Sequence, residues 1–210
     1  VMYSKEFSDF GDVTYTEKTR AVIKIQDGCD RFCSYCIIPY ARGRVRSRKP
    51  ESIISEITQI ASKGIKEVII TGIHIASYGK DFVMSKDDKL KNYRLIDLLE
   101  EINQIQGIQR IRLGSIEPLL ITEEFVERLK KLEKICHHFH LSLQSGCDET
   151  LKRMNRRYTT EQFKVIVNLL RDAYEDVNLT TDIIVGFPGE TDEEFSKTYQ
   201  FLDEIKFYSF

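Results

Sequence analysis

Cys29, Cys33 and Cys36 lie in the run Cys29-Asp30-Arg31-Phe32-Cys33-Ser34-Tyr35-Cys36, directly after the β-branched stretch Val22-Ile23-Lys24-Ile25. Packing gives no reason to gather thiols at C-x3-C-x2-C spacing, so the run points to metal or redox chemistry. The other two cysteines, Cys136 and Cys147, stand alone and read as small buried hydrophobes. A structural zinc centre asks for four protein ligands, commonly as two distant pairs. Cys136, His137, His138 and His140 keep that reading open, but they enter a strand from the rim opposite Cys29. An iron–sulfur cube on three cysteines leaves one iron open, whereas an electron carrier of the ferredoxin kind brings a fourth thiolate. An open metal position is what a catalytic site needs.

The elements that must position these thiols follow from the pattern of the chain. Its 210 residues are 41% apolar and 30% charged, with a net charge of −2, an ordinary globular balance. No apolar run approaches the ~20 residues that cross a bilayer, and a cluster of thiols suits a reducing cytoplasm. Residues 1–19 read as an arm or interdomain linker. Strands are predicted at Val22–Ile25, Val68–Ile70 (fully buried), Ile111–Leu113, Phe139–Leu143 and Thr181–Val185, with a sixth starting at Phe207. Between them fall helices opened by Pro50, by Thr122, and by the capping boxes Thr159/Gln162 and Thr191/Glu194. A further helix carries Leu95, Leu98, Leu99 and Ile102, and the last one places Phe195, Tyr199 and Leu202 on one face. This βα alternation predicts an α/β fold, a partial (β/α) TIM-like barrel of about six parallel strands with outer helices.

Unusual residues collect after each strand. They are Cys29–Cys36, Thr71-Gly72-Ile73-His74, Ser115-Ile116-Glu117-Pro118, Gln144-Ser145-Gly146 and Gly186-Phe187-Pro188-Gly189-Glu190. Parallel α/β proteins bind ligands at that rim, and contributions from every strand favour a barrel mouth over a single crevice.

C-x3-C-x-Tyr-C after a first strand resembles the radical S-adenosylmethionine superfamily. The longer string Cys36-Ile37-Ile38-Pro39-Tyr40-Ala41-Arg42-Gly43, running into Arg46-Ser47-Arg48, resembles its methylthiotransferases. Within these, Thr71–Gly79 and Gly114-Ser115-Ile116-Glu117-Pro118 look like the branch acting on threonylcarbamoyladenosine beside the tRNA anticodon. The alternatives are the isopentenyladenosine branch, the ribosomal-protein branch, another radical enzyme, or a zinc or nucleic-acid-binding module.

The resemblance implies a [4Fe-4S] cluster on Cys29, Cys33 and Cys36, its open iron chelated by S-adenosylmethionine. It implies cofactor contacts from Tyr35, Thr71, Gly72, Ser142, Gln144, Ser145, Gly186, Phe187 and Pro188, with Arg156 pairing the cofactor carboxylate. Arg42, Arg44, Arg46, Arg48 and Lys49 alternate in a segment suited to RNA phosphates, and Glu117 is a candidate substrate contact. No side chain is assigned a catalytic role, because the radical arises on the cofactor: reductive cleavage gives a 5′-deoxyadenosyl radical, and carbon 2 of the adenine receives the methylthio group. The implied partners are a tRNA anticodon stem-loop and a flavodoxin- or ferredoxin-type electron donor, with the chain a monomer. Members of the family also carry a second cluster on an N-terminal domain and a C-terminal RNA-binding β domain, and neither is expected within residues 20–210. The stretch alone is therefore expected to bind and cleave the cofactor without completing methylthiolation.

Overall fold

The computed structural model describes Phe7 and residues 19–210. The arm predicted over residues 1–19 otherwise lies outside them. The described chain divides into two compact units. One holds the residues up to Arg31 with Ile37–Gly114 and Arg128–Cys136; the other holds Phe32–Cys36, Ser115–Glu127 and His137–Phe210.

The first unit is built on a four-stranded sheet in the order β2-β1-β3-β4. Strand β1 (Arg20–Asp27) runs parallel to β3 (Glu67–Gly72), which runs parallel to β4 (Arg110–Leu113). The two-residue β2 (Arg46–Ser47) pairs antiparallel with the end of β1. Ala21, Ile23 and Ile25 of β1 are fully buried, as are Val68 and Ile70 of β3. The prediction of a uniformly buried β3 is corrected at Ile69, which stays part-exposed and gives the strand a clear alternation. Helix α1 (Ile38–Ala41) is a single turn. Helix α2 (Pro50–Ser62) starts at its proline and buries Ile53, Ile57 and Ile60, while α3 (Leu95–Gln104) buries Leu95, Leu98, Leu99 and Ile102. A parallel bridge from Ile111 to Ile135 continues the order beyond β4.

The boundary between the units passes through α4 (Glu123–Leu129), whose first turn is capped by Thr122 Oγ1 accepting from Phe125 N at 3.2 Å. In the second unit, β5 (His138–His140) pairs in parallel with β6 (Asn178–Thr180). The predicted strand over Thr181–Val185 is corrected: the ladder lies three residues earlier, and Val185 is 62% exposed. Only an isolated bridge, Gln144 to Ile183, survives there. Ser209 bridges Thr180 in parallel, so the apolar segment beginning at Phe207 does add an extended partner beside β6. Helices α5 (Asp148–Arg153), α6 (Thr160–Ala173) and α7 (Asp192–Ile205) complete the unit, with both predicted capping boxes formed at α6 and α7.

The face that α7 buries is not its predicted apolar stripe. Phe195 and Tyr199 are 47% and 67% exposed, and the buried stripe is Glu194, Thr198, Phe201 and Ile205. Thr198 Oγ1 meets Ser145 Oγ at 3.1 Å and accepts from Gly146 N at 3.2 Å, so its burial leaves no orphaned hydroxyl. Gly146 makes this approach possible, since a Cβ there would stand 2.7 Å from Phe201 Cβ. No helix among the described residues is long and apolar enough to cross a membrane.

Candidate functional site

The motif after β1 begins on a crowded turn. Gly28 has φ +72°, and Cys29 N donates to Gly43 O at 3.1 Å, which brings the cysteine under the following loop. Cys29 is buried, and its Sγ accepts from Arg31 N at 3.4 Å. Gln26, fully buried at the end of β1, donates through Nε2 to Asp27 O and Gly28 O and accepts His74 N at Oε1. Both amide hydrogens and one acceptor position of the oxygen are thus used within the first unit. Gly72 faces this side chain: a Cβ there would lie 3.1 Å from both Gln26 Cβ and Oε1. That glycine therefore has a packing reason, the passage of β3 over Gln26, besides any approach to a ligand.

Cys33 and Cys36 lie in the second unit, both half-buried, joined by a turn in which Cys36 N donates to Cys33 O at 2.9 Å. None of the five cysteines is joined in a disulfide. Arg156 reaches Cys33 Sγ through Nη1 at 3.4 Å and is held by Ser142 O, by the Tyr158 hydroxyl and by stacking on the Tyr158 ring. Burial works against its charge, but Tyr158, Tyr35 and Cys33 outweigh it and hold the guanidinium firmly protonated. Tyr158 is buried and donates to the Ser142 and Leu143 carbonyls, its phenol kept protonated chiefly by burial. The Arg156 contact sets a fixed cation against a cysteine sulfur. Among the described residues, no three His, Cys, Asp or Glu side chains converge at ligating distance. The donor chemistry nevertheless fits an iron–sulfur cluster: three thiols outside any disulfide at that spacing, and a guanidinium on one of them.

The other predicted cofactor residues separate by environment. Tyr35 is 40% exposed and meets the Phe187 ring edge-on, with centroids 6.3 Å apart. Phe187 N donates to Glu190 Oε2, closing a turn in which Gly186 has φ +68° and open space around it. Gly186 and Pro188 are exposed and Phe187 partly so. Gln144 takes φ +74°, so the expected alternation that set Ser142 and Gln144 on one face does not run through. Ser145 is corrected: it is fully buried, and its hydroxyl is engaged by Thr198 and by Cys147 N. Thr71 and Gly72 are the last residues of β3, both part-exposed. Glu117 is buried at the start of the 3₁₀ turn Pro118–Leu120.

The basic run divides. Arg42, Arg44 and Lys49 are exposed, as a phosphate track requires. Arg46 and Arg48 are corrected: both are buried, Arg46 pairing with Asp27 at 3.7 Å and Arg48 with Glu56. Cys136 and Cys147 are buried as expected, and burial pushes both thiols up, away from the reactive thiolate.

Sequence reasoning missed α5 and its exit. Arg153 of α5 binds Glu194 through both guanidinium nitrogens, Nη1 at 2.9 Å and Nη2 at 2.5 Å. Arg153 and the Thr191 backbone hold that carboxyl below its ordinary value. A carboxylate with a lowered folded-state pKa stabilises above the ordinary glutamate range and loses this effect as pH falls through the lowered value. Glu194→Gln is therefore expected to melt below the parent at pH 7 and to converge with it on acidification, as followed by circular dichroism.

Comparison with known proteins decides the family. A family model of the Radical SAM superfamily matches residues 23–202. The chain belongs to the Radical SAM superfamily. This Radical SAM chain is 44% identical over 208 residues to the threonylcarbamoyladenosine tRNA methylthiotransferase MtaB of Bacillus subtilis, covering 99% of the chain and 44% of that protein. It is 46% identical over 193 residues to the tRNA-2-methylthio-N(6)-dimethylallyladenosine synthase of Caldicellulosiruptor saccharolyticus, covering 92% and 40%. The chain thus spans less than half the length of these relatives. Among solved structures, the radical S-adenosylmethionine methyltransferase TsrM of Kitasatospora setae superposes with a TM-score of 0.68 at 22% identity, over 89% of this chain and 34% of TsrM. Methylornithine synthase, PylB, gives 0.57 at 13% identity over 90% of this chain and 50% of its own. These likenesses show the fold, the α/β architecture of radical SAM enzymes, as the βα alternation predicts.

Proposed function

We propose that residues 20–210 form the radical SAM domain of an enzyme that methylthiolates an adenosine derivative in tRNA. One observation carries the reading: the C-x3-C-x2-C run lies in a stretch matched nearly end to end by two relatives named for tRNA methylthiolation. In this reading Cys29, Cys33 and Cys36 hold a [4Fe-4S] cluster, and S-adenosylmethionine occupies its open iron. When bound, the cluster supplies the electron that cleaves S-adenosylmethionine. The chain's own residues bind and orient. Arg156 sets a positive charge beside Cys33 and would pair with the cofactor carboxylate. Tyr35 and Phe187 offer aromatic surface, Gly186 and Pro188 a turn for flat packing, and Ser142 and Gln144 polar contacts. Thr71 and Gly72 keep their proposed backbone contacts to the cofactor. Arg42, Arg44 and Lys49 meet phosphates of an anticodon stem-loop, and Glu117 acts on its own unit's rim beside the substrate.

The threonylcarbamoyl branch is favoured by Gly114-Ser115-Ile116-Glu117-Pro118. The dimethylallyl reading is kept by the 46% identity to a synthase of that name. We further assign the protein to the cytoplasm, as a monomer reduced by a flavodoxin- or ferredoxin-type donor; five cysteines without a disulfide support the reducing compartment.

Anaerobic reconstitution with iron and sulfide is expected to give roughly four irons per chain and broad absorbance near about 400 nm. Cys33→Ala should abolish that absorbance, and a colourless parent holding a single zinc would overturn the reading. The stretch alone should then cleave S-adenosylmethionine but leave tRNA unmodified. Mass spectrometry of tRNA from cells lacking the full-length protein separates the branches, through loss of the methylthio group from one modified adenosine or the other.

A further inference from the structure

The loop carrying Cys33 and Cys36 is clipped to the chain just past α5, and the geometry points to Asn155 as the residue that positions this metal-binding loop. The inference rests on the cluster reading above. Four contacts join the two segments within the second unit. Ser34 Oγ donates to Arg153 O at 2.8 Å, Ser34 N donates to Met154 O at 3.1 Å, Asn155 Nδ2 donates to Phe32 O at 2.8 Å, and Arg156 Nη1 meets Cys33 Sγ.

The backbone at the exit of α5 explains why an asparagine stands there. Arg156 N donates to Leu151 O at 2.9 Å and Asn155 N to Lys152 O at 3.0 Å. This crossed pair is a Schellman motif, and Asn155 takes its left-handed position with φ +57°. Glycine is the easiest residue for that conformation, and asparagine the next. A cap needs nothing from the side chain at this place. Yet the Asn155 amide spans the gap to Phe32 O, the carbonyl directly before Cys33. Phe32 itself has φ +53°, an uncommon backbone for a bulky residue. Asn155 supplies a donor to that carbonyl.

The anchor beneath is firm. Leu151 and Met154 are buried, and Arg153 is tied to Glu194 at the start of α7. The helix exit is thus a fixed post, and the cysteine loop, with Ser34 and Tyr35 exposed, hangs on it. A residue that orients ligands without touching metal commonly changes affinity by about 10- to 100-fold when removed.

Two substitutions separate positioning from capping. Asn155→Gly keeps the cap and removes the donor, so the metal-free protein should melt at or above the parent temperature. The reconstituted Gly variant should release iron to a ferrous chelator about tenfold faster than the parent. Asn155→Asp keeps the shape but sets an acceptor and a negative charge against Phe32 O, and should release iron faster still. Equal release rates for parent and Asn155→Gly would overturn the inference, as would faster release matched by a lower melting temperature of the metal-free Gly variant. A parent that takes up no iron would overturn the cluster reading itself, and this inference with it.

Discussion

Gly28→Ala is expected to destabilise the protein by about 3 kcal/mol or more, the sum of a left-handed backbone and overpacking against immovable atoms. A Cβ on Gly28 would stand 1.9 Å from Arg44 O and 2.7 Å from Gly43 O, both main-chain oxygens. Neither can swing aside as a side chain would, because Cys29 N holds Gly43 O and β2 holds the next turn. The turn must open instead, and Cys29 goes with it. Gly64 is the matched control. Its φ is +87°, but nothing lies within 4 Å of the Cβ position. Gly64→Ala should therefore cost only the conformational share, about 1–2 kcal/mol. Urea unfolding of both variants measures the difference. Equal losses would show that crowding at Gly28 is not the cause. Gly28→Ala should also bind less iron on reconstitution, where Gly64→Ala should bind as the parent does.

The second large effect is expected at Arg48. Its side chain and that of Glu56 are 10% and 11% exposed, and Arg48 Nε also reaches Ser52 Oγ at 3.1 Å. Removing one member of a buried pair strands the other charge, at a cost of about 3–5 kcal/mol. Arg48→Ala should thus lower the melting temperature by roughly 10 °C, given about 2–4 °C per kcal/mol at this size. Arg44 makes an informative contrast. It is 78% exposed on its side chain and pairs with a 44% exposed Asp30, so Arg44→Ala should change stability by about 1 kcal/mol at most. RNA affinity should respond in the reverse order, with Arg44→Ala weakening binding to a stem-loop and flattening its salt dependence by about one unit of slope. If Arg48→Ala left the melting temperature alone and weakened RNA binding instead, the buried assignment would be wrong.

Arg46 and Arg48 also show where sequence reasoning reaches its limit. Alternating arginines read as a one-sided basic strip, because an extended segment sends every second side chain the same way. The two-residue pairing of β2 with β1 turns Arg46 toward Asp27, and the middle of α2 offers Glu56 to Arg48. Both acids are distant enough in sequence that no local pattern announces them. The core of the fold was easier to read. Isoleucines at helical spacing after Pro50, the leucines of α3 and the two capping boxes all mark elements that the structure forms. These signals are local, and local hydrogen bonding and periodicity decide them.

Helix α7 failed by a single position. Phe195, Tyr199 and Leu202 make an apolar stripe, and Glu194, Thr198, Phe201 and Ile205 make a neighbouring one. Hydrophobicity favours the first. The second wins because its polar members have partners waiting, Arg153 for Glu194 and the Ser145–Gly146 turn for Thr198. The strand expected over Thr181–Val185 failed for a related reason. Ile183, Ile184 and Val185 look like a buried strand, but Gln144 in its left-handed conformation takes up Asp182 O and Ile184 N and pulls the chain off the ladder. At the candidate site, the thiols and Arg156 could be found by residue type and spacing. Asn155 could not, because its role lies in one amide hydrogen bond across 123 positions of sequence.

The buried amide of Gln26 bears on how this sequence can drift. Two donors and one acceptor must be delivered at one side-chain length, to Asp27 O, Gly28 O and His74 N. Glutamate brings a charge and no donors, asparagine is a methylene short, and methionine or leucine leaves three polar groups in want of partners. No familiar conservative replacement exists. Gly72 is bound to the same place: a Cβ there would stand 2.9 Å from Gln26 O, a main-chain atom that stays whatever residue holds 26, and 3.1 Å from Gln26 Cβ, so no shorter side chain at 26 makes room for a larger residue at 72. Lineages descending from this protein are therefore expected to keep both residues.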